Sequence, residues 1–432
     1  MIKFIDLFAG TGGIRLGLES ALDRIGIAHQ CVKSIEIDRH ACQTYKMNFN
    51  EDPYGDIRAV EDIEPFDILL AGFPCQAFSY AGKQLGFADT RGTLFFEIER
   101  LIEKYQPKFC FLENVRGLTT HDKGRTLATI IEKLKNQGYY VDYRLLNSSN
   151  FGLAQNRVRV YIFASKIQIK CSIVSDVGAA DTVGFSETAS LDLFFNNAYK
   201  RSNVASILED DPDKKYDCSA GFVDKLNVIF NGDLKKLNGL RFIDTRHGNS
   251  LHSWDIGLKG DCTPAEINFM NLLISNRRRH IFGTHQDGKA LNIDQIKTFY
   301  RLNDLSEVIA SLLRKGYLKQ NEGFFNPVCG NMSFEVFKFL DPNSISVTLT
   351  ASDSHKLGVY YKDRVRRITP RECARLQGYP DNYILHPKDV YAYKQLGNAV
   401  SVSVIDRLLS NIFSQSEMQK LLKNNNFICK AS

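Results

Sequence analysis

No apolar run in this chain approaches the roughly 18 residues that a membrane-spanning helix needs. The opening residues, Met1-Ile2-Lys3-Phe4-Ile5-Asp6, place no basic stretch ahead of an apolar one. Both absences point to a soluble cytoplasmic protein without a membrane partner. No two of the ten cysteines form a Cys-x-x-Cys pair, which argues against a zinc ribbon and against a disulfide framework; most read as buried small hydrophobes. None of the nine histidines sits in a motif that would make it the basic partner of a cysteine nucleophile, and His280 and His285 read as surface or core residues rather than ligands. No metal is therefore expected. Internal repeats and low-complexity tracts are absent too. The net charge of +6 permits a polyanionic partner without requiring one.

What is present suits a large, well-packed chain. At 432 residues with 44% apolar composition, two domains are the default. Up to Lys166, short apolar runs (Phe4 to Phe8, Cys31 to Ile35, Ile68 to Ala71, Phe109 to Leu112) alternate with helix-period segments such as Leu94, Ile98, Leu101, Ile102 and Tyr105. That alternation predicts an α/β fold, a mostly parallel sheet with helices on both faces. Tyr139 to Leu145 and Val158 to Ala164 read as strands closing the sheet with an antiparallel edge. Residues 167–360 loosen into polar loops, where Asp294 to Phe299, Leu305 to Arg314 and a hairpin through Gly323 suggest a winged-helix layout. A small helical insertion with a turn would give the same pattern.

Asp6-Leu7-Phe8-Ala9-Gly10-Thr11-Gly12-Gly13 is a glycine-rich turn between the first strand and an amphipathic helix. Small residues there let backbone amides approach a ligand at a helix N-terminus. A dinucleotide fingerprint would want glycine where Arg15 stands, so a dinucleotide dehydrogenase is disfavoured. Glu36 ends the second strand and Asp56 follows in Gly55-Asp56-Ile57; each could meet ribose hydroxyls, and each could equally be an ordinary solvated or capping acid.

Cys75, in Gly-Phe-Pro-Cys-Gln, follows the run Ile68 to Gly72, and Glu113-Asn114-Val115 ends the run Phe109 to Leu112. The pattern puts a thiol and a carboxyl at one sheet edge. A sulfur nucleophile beside an acid suits attack on an electron-poor ring whose nitrogen is protonated as sulfur adds, and a pyrimidine is such a ring. The plainer alternatives are a buried inert Cys75 and a Glu113 paired with Arg116. Arg157 and Arg159 alternate with Val158 and Val160, which by itself describes a solvated sheet face.

Six blocks occur in order. They are Asp6 to Gly12, Gly72-Phe73-Pro74-Cys75-Gln76-Ala77-Phe78-Ser79, Glu113-Asn114-Val115, Gln155-Asn156-Arg157-Val158-Arg159, Arg367-Ile368-Thr369-Pro370-Arg371-Glu372 through Pro380, and Gln395-Leu396-Gly397-Asn398-Ala399-Val400. In them the chain resembles the bacterial DNA cytosine-5 methyltransferases of restriction-modification systems. The resemblance implies S-adenosylmethionine as methyl donor, with S-adenosylhomocysteine as product. Its pocket would comprise Phe8, Gly10, Thr11, Gly12, Gly13, Glu36, Ile37, Asp56, Ile57, Pro74, Leu94, Asn398 and Ala399. Phe8 would lie on the adenine, Glu36 on the ribose and Asp56 on the adenine amine. Many members carry tryptophan where Ile37 stands, so one adenine face would have only aliphatic contact.

The resemblance further implies a catalytic set of Cys75, Glu113, Arg157 and Arg159, acting on a cytosine turned out of duplex DNA. It implies a catalytic domain of residues 1–166 completed by 395–432, a target-recognition domain at 167–360 and a connecting segment at 361–394. The stretch from Pro74 to Gly92 is longer than an inert loop and reads as a lid, with Gln76, Ser79, Lys83, Gln84 and Arg91 against DNA. Base readers are expected among arginines, asparagines and glutamines around Asp244 to Thr284. A monomer is expected, with a cognate endonuclease as functional partner but no stable complex. A transfer-RNA cytosine-5 methyltransferase would share nearly every catalytic block, and a catalytically silent DNA-binding homologue is a further alternative.

Overall fold

The computed structural model describes residues 1–73, 94–176, 202–242, 251–284, 289–328 and 334–424. The elements of the first half are β1 (Ile2–Leu7), α1 (Gly13–Arg24), β2 (His29–Ile35), α2 (Arg39–Phe49), β3 (Ile68–Gly72), α3 (Leu94–Tyr105), β4 (Phe109–Val115), α4 (Gly117–Thr120), α5 (Arg125–Asn136), β5 (Tyr140–Asn147) and β6 (Val158–Ser165). After them come α6 (Ala220–Phe230), α7 (Pro264–Asn276), α8 (Ile293–Lys297), α9 (Leu305–Lys315), β7 (Leu318–Asn321), β8 (Phe324–Pro327), β9 (Lys338–Leu340), β10 (Leu357–Tyr361) and β11 (Arg364–Arg367). The chain continues through α10 (Pro370–Leu376), α11 (Asp389–Asn398), α12 (Val402–Phe413) and α13 (Ser416–Lys423).

Two compact units result. The first comprises Met1–Leu208, Ile345–Ser354 and Pro370–Ser432; the second comprises Glu209–Ser344 and His355–Thr369. These limits differ from the boundaries the sequence suggested at 166/167 and 360/361. Ile167, Ile169 and Cys171 still pack on the first core, and residues 345–354 return to it as a strap alongside Ala154 to Asn156.

The first unit is built on a six-stranded sheet in the order β2-β1-β3-β4-β6-β5. The β2, β1, β3 and β4 neighbours run parallel, while β6 is antiparallel to both β4 and β5. Near-continuous apolar runs mark strands covered on both faces, and the two-residue period sorts their side chains. Phe4, Ile68, Leu70, Phe109 and Phe111 face one core with Leu18, Leu22, Ile405 and Leu408. Ile5, Leu69, Ala71, Cys110 and Leu112 face the other with Ile98, Leu101, Leu127 and Ile130. The C-terminal helices belong to the first face: a Cβ on Gly17 would lie 2.6 Å from Ile405 Cγ2, so α1 and α12 touch through a bare backbone.

In the second unit β11, β10 and β9 form a three-stranded sheet. A separate core gathers Trp254, Phe269, Leu273, Ile296, Leu305, Val308, Ile309, Leu312, Tyr317 and Phe325. On α9 the buried residues Leu305, Val308, Ile309 and Leu312 recur at helical spacing, and each contributes about 1.5–3 kcal/mol through burial. Leu291, just ahead of α8, bridges Phe325 of β8 in antiparallel sense. A helix, an isolated bridge, two helices and a hairpin whose second strand pairs back onto that bridge follow the order expected of a winged helix. The hairpin turns at Glu322 and Gly323, both at positive φ.

Candidate active site

The strand ends of the first unit assemble the site. In the parallel β3–β4 register Gly72 stands beside Glu113, and Asn114 Nδ2 donates to the Phe73 carbonyl at 3.3 Å. The backbone leading into Pro74-Cys75 is thus tied to the strand that carries the acid. Cys75 itself lies outside the described residues, as do Pro74, Gln76, Ser79, Lys83, Gln84 and Arg91.

Glu113 is only 8% exposed. Its Oε1 lies 3.2 Å from Arg159 Nε, so its ion pair is with Arg159 rather than the Arg116 of the plainer reading. Burial pushes its carboxyl up, against the pull of the Arg159 and then the Arg157 guanidinium, and the net shift is upward. A carboxyl that holds its proton longer than a free glutamate, beside a cation that orients it, is suited to donating that proton.

Arg157, expected in the catalytic set, is fixed by backbone carbonyls. It is 2% exposed, which excludes a solvated face. Nη1 donates to the carbonyls of Leu349 at 2.9 Å and Gly397 at 3.5 Å, and Nη2 to that of Ala399 at 2.5 Å. Its influence on Glu113 runs through charge.

The glycine turn follows β1. Phe8, Gly10 and Gly12 all have positive φ, a region glycine enters freely and phenylalanine does not. Gly12 is the N-cap of α1 and supplies no side-chain cap to the first helical amides. Thr11 is held from both ends, its hydroxyl 2.8 Å from the Tyr379 hydroxyl and its carbonyl accepting from Tyr383 Oη at 2.5 Å. A Cβ on Gly13 would lie 2.5 Å from Tyr379 Oη, so packing requires glycine there.

Arg15 explains the failed dinucleotide pattern. Its guanidinium donates to Glu51 at 2.7 and 3.1 Å, to Tyr45 Oη at 3.0 Å and to Glu19 at 2.7 Å. It also lies over the Phe49 ring, 4.2 Å from its centroid. It pins α1 to α2.

At the end of β2, Glu36 Oε2 accepts from the Gly10 amide and Oε1 from the amides of Ile37 and Asp38, each at 2.8 Å. Four acceptor directions minus these three leave the carboxylate able to take a hydroxyl. Ile37 is 62% exposed, a bare aliphatic surface. Asp56 caps the turn at Ile57–Ala59, and Arg58 holds its carboxylate through the backbone amide at 3.0 Å and the guanidinium at 2.6 Å. Those bonds pull the Asp56 carboxyl down. Ile57 is buried, and Leu94 packs partly buried against the same core. Asn398 is exposed between buried Gly397 and Ala399.

Sequence reasoning passed over Gln155 and Gln377, which lie inside the quoted blocks without an assigned role. Gln377 Nε2 donates to the Leu396 carbonyl at 2.9 Å, and Gln155 Nε2 to that of Leu376 at 2.9 Å. Their signal was an uncharged polar side chain amid buried neighbours. Among the described residues no group of three histidine, cysteine or acidic side chains could hold a metal ion, and no helix is long and apolar enough to cross a membrane.

Comparison with known proteins finds the family described as C-5 cytosine-specific DNA methylase matching residues 2–414. The Type II methyltransferase M.BanI of Aneurinibacillus aneurinilyticus is 58% identical over 417 residues, 96% of each chain. The Type II methyltransferase M.HgiCI of Herpetosiphon aurantiacus is 57% identical over 419 residues, 97% of this chain and 99% of that one. Among solved structures, the Entamoeba histolytica methyltransferase EhMeth aligns over 96% of this chain and 98% of its own, with a TM-score of 0.53 at 16% identity, a likeness of fold.

Proposed function

The chain belongs to the C-5 cytosine-specific DNA methylase family and is a DNA cytosine-5 methyltransferase of the restriction-modification type, and from that premise we propose which residues perform the transfer. Family membership brings S-adenosylmethionine as the methyl donor and DNA as the substrate. When bound, the donor supplies an electrophilic methyl group on a sulfonium. The uncapped start of α1, the left-handed Gly10 and Gly12, the Glu36 carboxylate with acceptor capacity to spare and the exposed Asn398 fit such a ligand. Phe8, Thr11, Gly13, Ile37, Asp56, Ile57, Pro74, Leu94 and Ala399 complete the proposed pocket. To engage the adenine amine, Asp56 shares its carboxylate with Arg58.

Carbon 5 of cytosine is a poor nucleophile. In the proposed reaction the Cys75 thiolate forms a bond to carbon 6 while Glu113 gives its proton to ring nitrogen 3, so that electron density arrives at carbon 5. Arg159 holds the carboxyl during that transfer. Carbon 5 then takes the methyl group and gives its proton to solvent water, the carbon–sulfur bond breaks with return of electrons to sulfur, and the nitrogen proton returns to Glu113. The base is reached outside the helical stack, because carbon 6 is closed to a thiol within a duplex. Gln76, Ser79, Lys83, Gln84 and Arg91 are proposed DNA contacts, the second unit the reader of a short target, and a cognate endonuclease the functional partner of a monomeric enzyme acting in the cytoplasm.

One observation carries the reading. Glu113 is buried, has its carboxyl pushed up by burial and lies 3.2 Å from Arg159, at the strand end in register with the residue that leads to Cys75. A transfer-RNA substrate is not favoured, since the most similar relatives reported are Type II methyltransferases. Bisulfite sequencing of DNA from cells expressing the chain tests the assignment. Protected cytosines confined to one short duplex sequence are expected. Unmodified DNA together with methyl transfer to transfer RNA would overturn it.

A further inference from the structure

The end of α11 carries exposed Asn398, and the backbone around it is held to an unusual degree. A helix C-terminus leaves carbonyls without intrahelical partners and bears partial negative charge. Here those carbonyls meet buried side chains from distant parts of the first unit. Arg157 donates to Gly397 and Ala399, and Gln377 to Leu396 at 2.9 Å and Ala399 at 3.5 Å. Around Asn398, the last helical position, the carbonyls of three residues are fixed this way, Leu396 and Gly397 before it and Ala399 after it.

The same arginine holds the strap at 345–354. Arg157 Nη1 takes the Leu349 carbonyl at 2.9 Å, and Gln155 Oε1 accepts from the Leu349 amide at 2.9 Å, so one pair of side chains grips both polar groups of one residue. The strap in turn lies directly on Gly397, where an added Cβ would overlap the carbonyl carbon of Thr350 and the nitrogen of Ala351. Gln155 and Gln377 meet at 3.3 Å, and Ser401 Oγ lies 3.3 Å from Gln377 Oε1. Two residues further along the chain from Arg157, Arg159 pairs with Glu113.

We propose that Arg157 is a positioning residue for cofactor binding. Together with Gln155 and Gln377 it holds the Leu396–Ala399 turn against the strap and so presents the Asn398 side chain to S-adenosylmethionine. Because Arg157 leads directly into the strand carrying Arg159, the cofactor turn and the catalytic carboxyl are anchored by one short stretch of chain. Charge alone does not make this clamp. Lysine keeps the cation near Glu113 but carries all its donors on one nitrogen, where the guanidinium spans carbonyls from two segments. The inference rests on the proposed contact between Asn398 and the cofactor.

The full chain with Arg157→Lys, Asn398→Ala and both changes is titrated with S-adenosylmethionine by calorimetry, and kcat and KM for the donor are measured on duplex DNA. Arg157→Lys is expected to weaken donor binding at least 10-fold, with kcat at saturating donor falling less than 3-fold and the pH profile unmoved. The double variant should bind little worse than Asn398→Ala alone, since both changes remove one interaction. Gln377→Leu, expected to weaken binding in the same direction, carries the test if Arg157→Lys does not fold. Undiminished donor affinity in Arg157→Lys, or a loss confined to kcat with a shifted pH profile, would overturn the inference while Asn398→Ala still weakened binding. Unchanged affinity in Asn398→Ala would instead remove the cofactor contact on which the inference depends.

Discussion

Arg159 Nε lies 3.2 Å from Glu113 Oε1, the arginine projecting from β6 opposite Val115 and the acid from β4 two residues earlier. Antiparallel pairing of two central strands holds them, which leaves little freedom for either to swing away. Replacing Glu113 with glutamine keeps the shape and removes the transferable proton. Turnover is expected to fall about 10²–10⁴-fold, with DNA affinity nearly unchanged. Single-turnover methyl transfer on a duplex substrate measures it.

The pH profile should report the same carboxyl. Burial raises Glu113 above the ordinary glutamate range, so the group stays protonated to higher pH, and its capacity to donate is lost as pH rises through that raised value. Arg159 is the larger of the two influences pulling it down. In Arg159→Gln the alkaline limb attributable to Glu113 should therefore move to higher pH, while kcat falls at least 10-fold. A pH series of kcat/KM for the variant and the parent checks both.

Gly397 tests the packing beneath Asn398. Its added Cβ would meet the backbone of Thr350 and Ala351, which cannot rotate aside as a side chain can. Gly397→Ala is expected to cost about 1–3 kcal/mol through overpacking and to weaken donor binding through the displaced turn. Thermal unfolding with and without S-adenosylmethionine reads the two effects separately.

The core of the second unit carries its own pH signature. Burial opposes the charged form of Glu266, but the hydrogen bonds from Lys315, Ser311 and the Thr263 amide outweigh it and pull the carboxyl from 4.5 down to about 2. A depressed carboxylate contributes stability that is present above its unfolded value and is lost as pH falls through the folded one. The contribution is on the order of 3 kcal/mol, full above about pH 5 and gone near pH 2. Glu266→Gln should lower the melting temperature of the second unit at pH 7 and have little effect near pH 2.

Much of this architecture was legible because it is written locally. The apolar runs at Phe4, Ile68 and Phe109 announce buried strands through their period, and the glycine turn after β1 announces a left-handed backbone at Gly10 and Gly12. What escaped was long-range pairing between polar side chains and backbone. Nothing near Arg157 says that its guanidinium ends on carbonyls at Leu349, Gly397 and Ala399, some two hundred residues away. Nothing near Asp56 but Arg58 hints that the carboxylate is shared with that neighbour. The strap at 345–354 was assigned to the target-reading region because chain order, not contact, was the guide. Arg15 looked like a defect in a glycine pattern and is a fastening between two helices.

The most direct measurement is covalent trapping. Incubating the protein with S-adenosylmethionine and duplex DNA carrying 5-fluorocytosine at the target blocks loss of the substituent at carbon 5, so the sulfur cannot leave. A DNA adduct that survives denaturation and maps by mass spectrometry to the peptide containing Cys75, absent from Cys75→Ala although that variant still binds DNA, is the predicted result. Methylation of ordinary DNA by Cys75→Ala at the parent rate, or an adduct on another residue, would contradict the account.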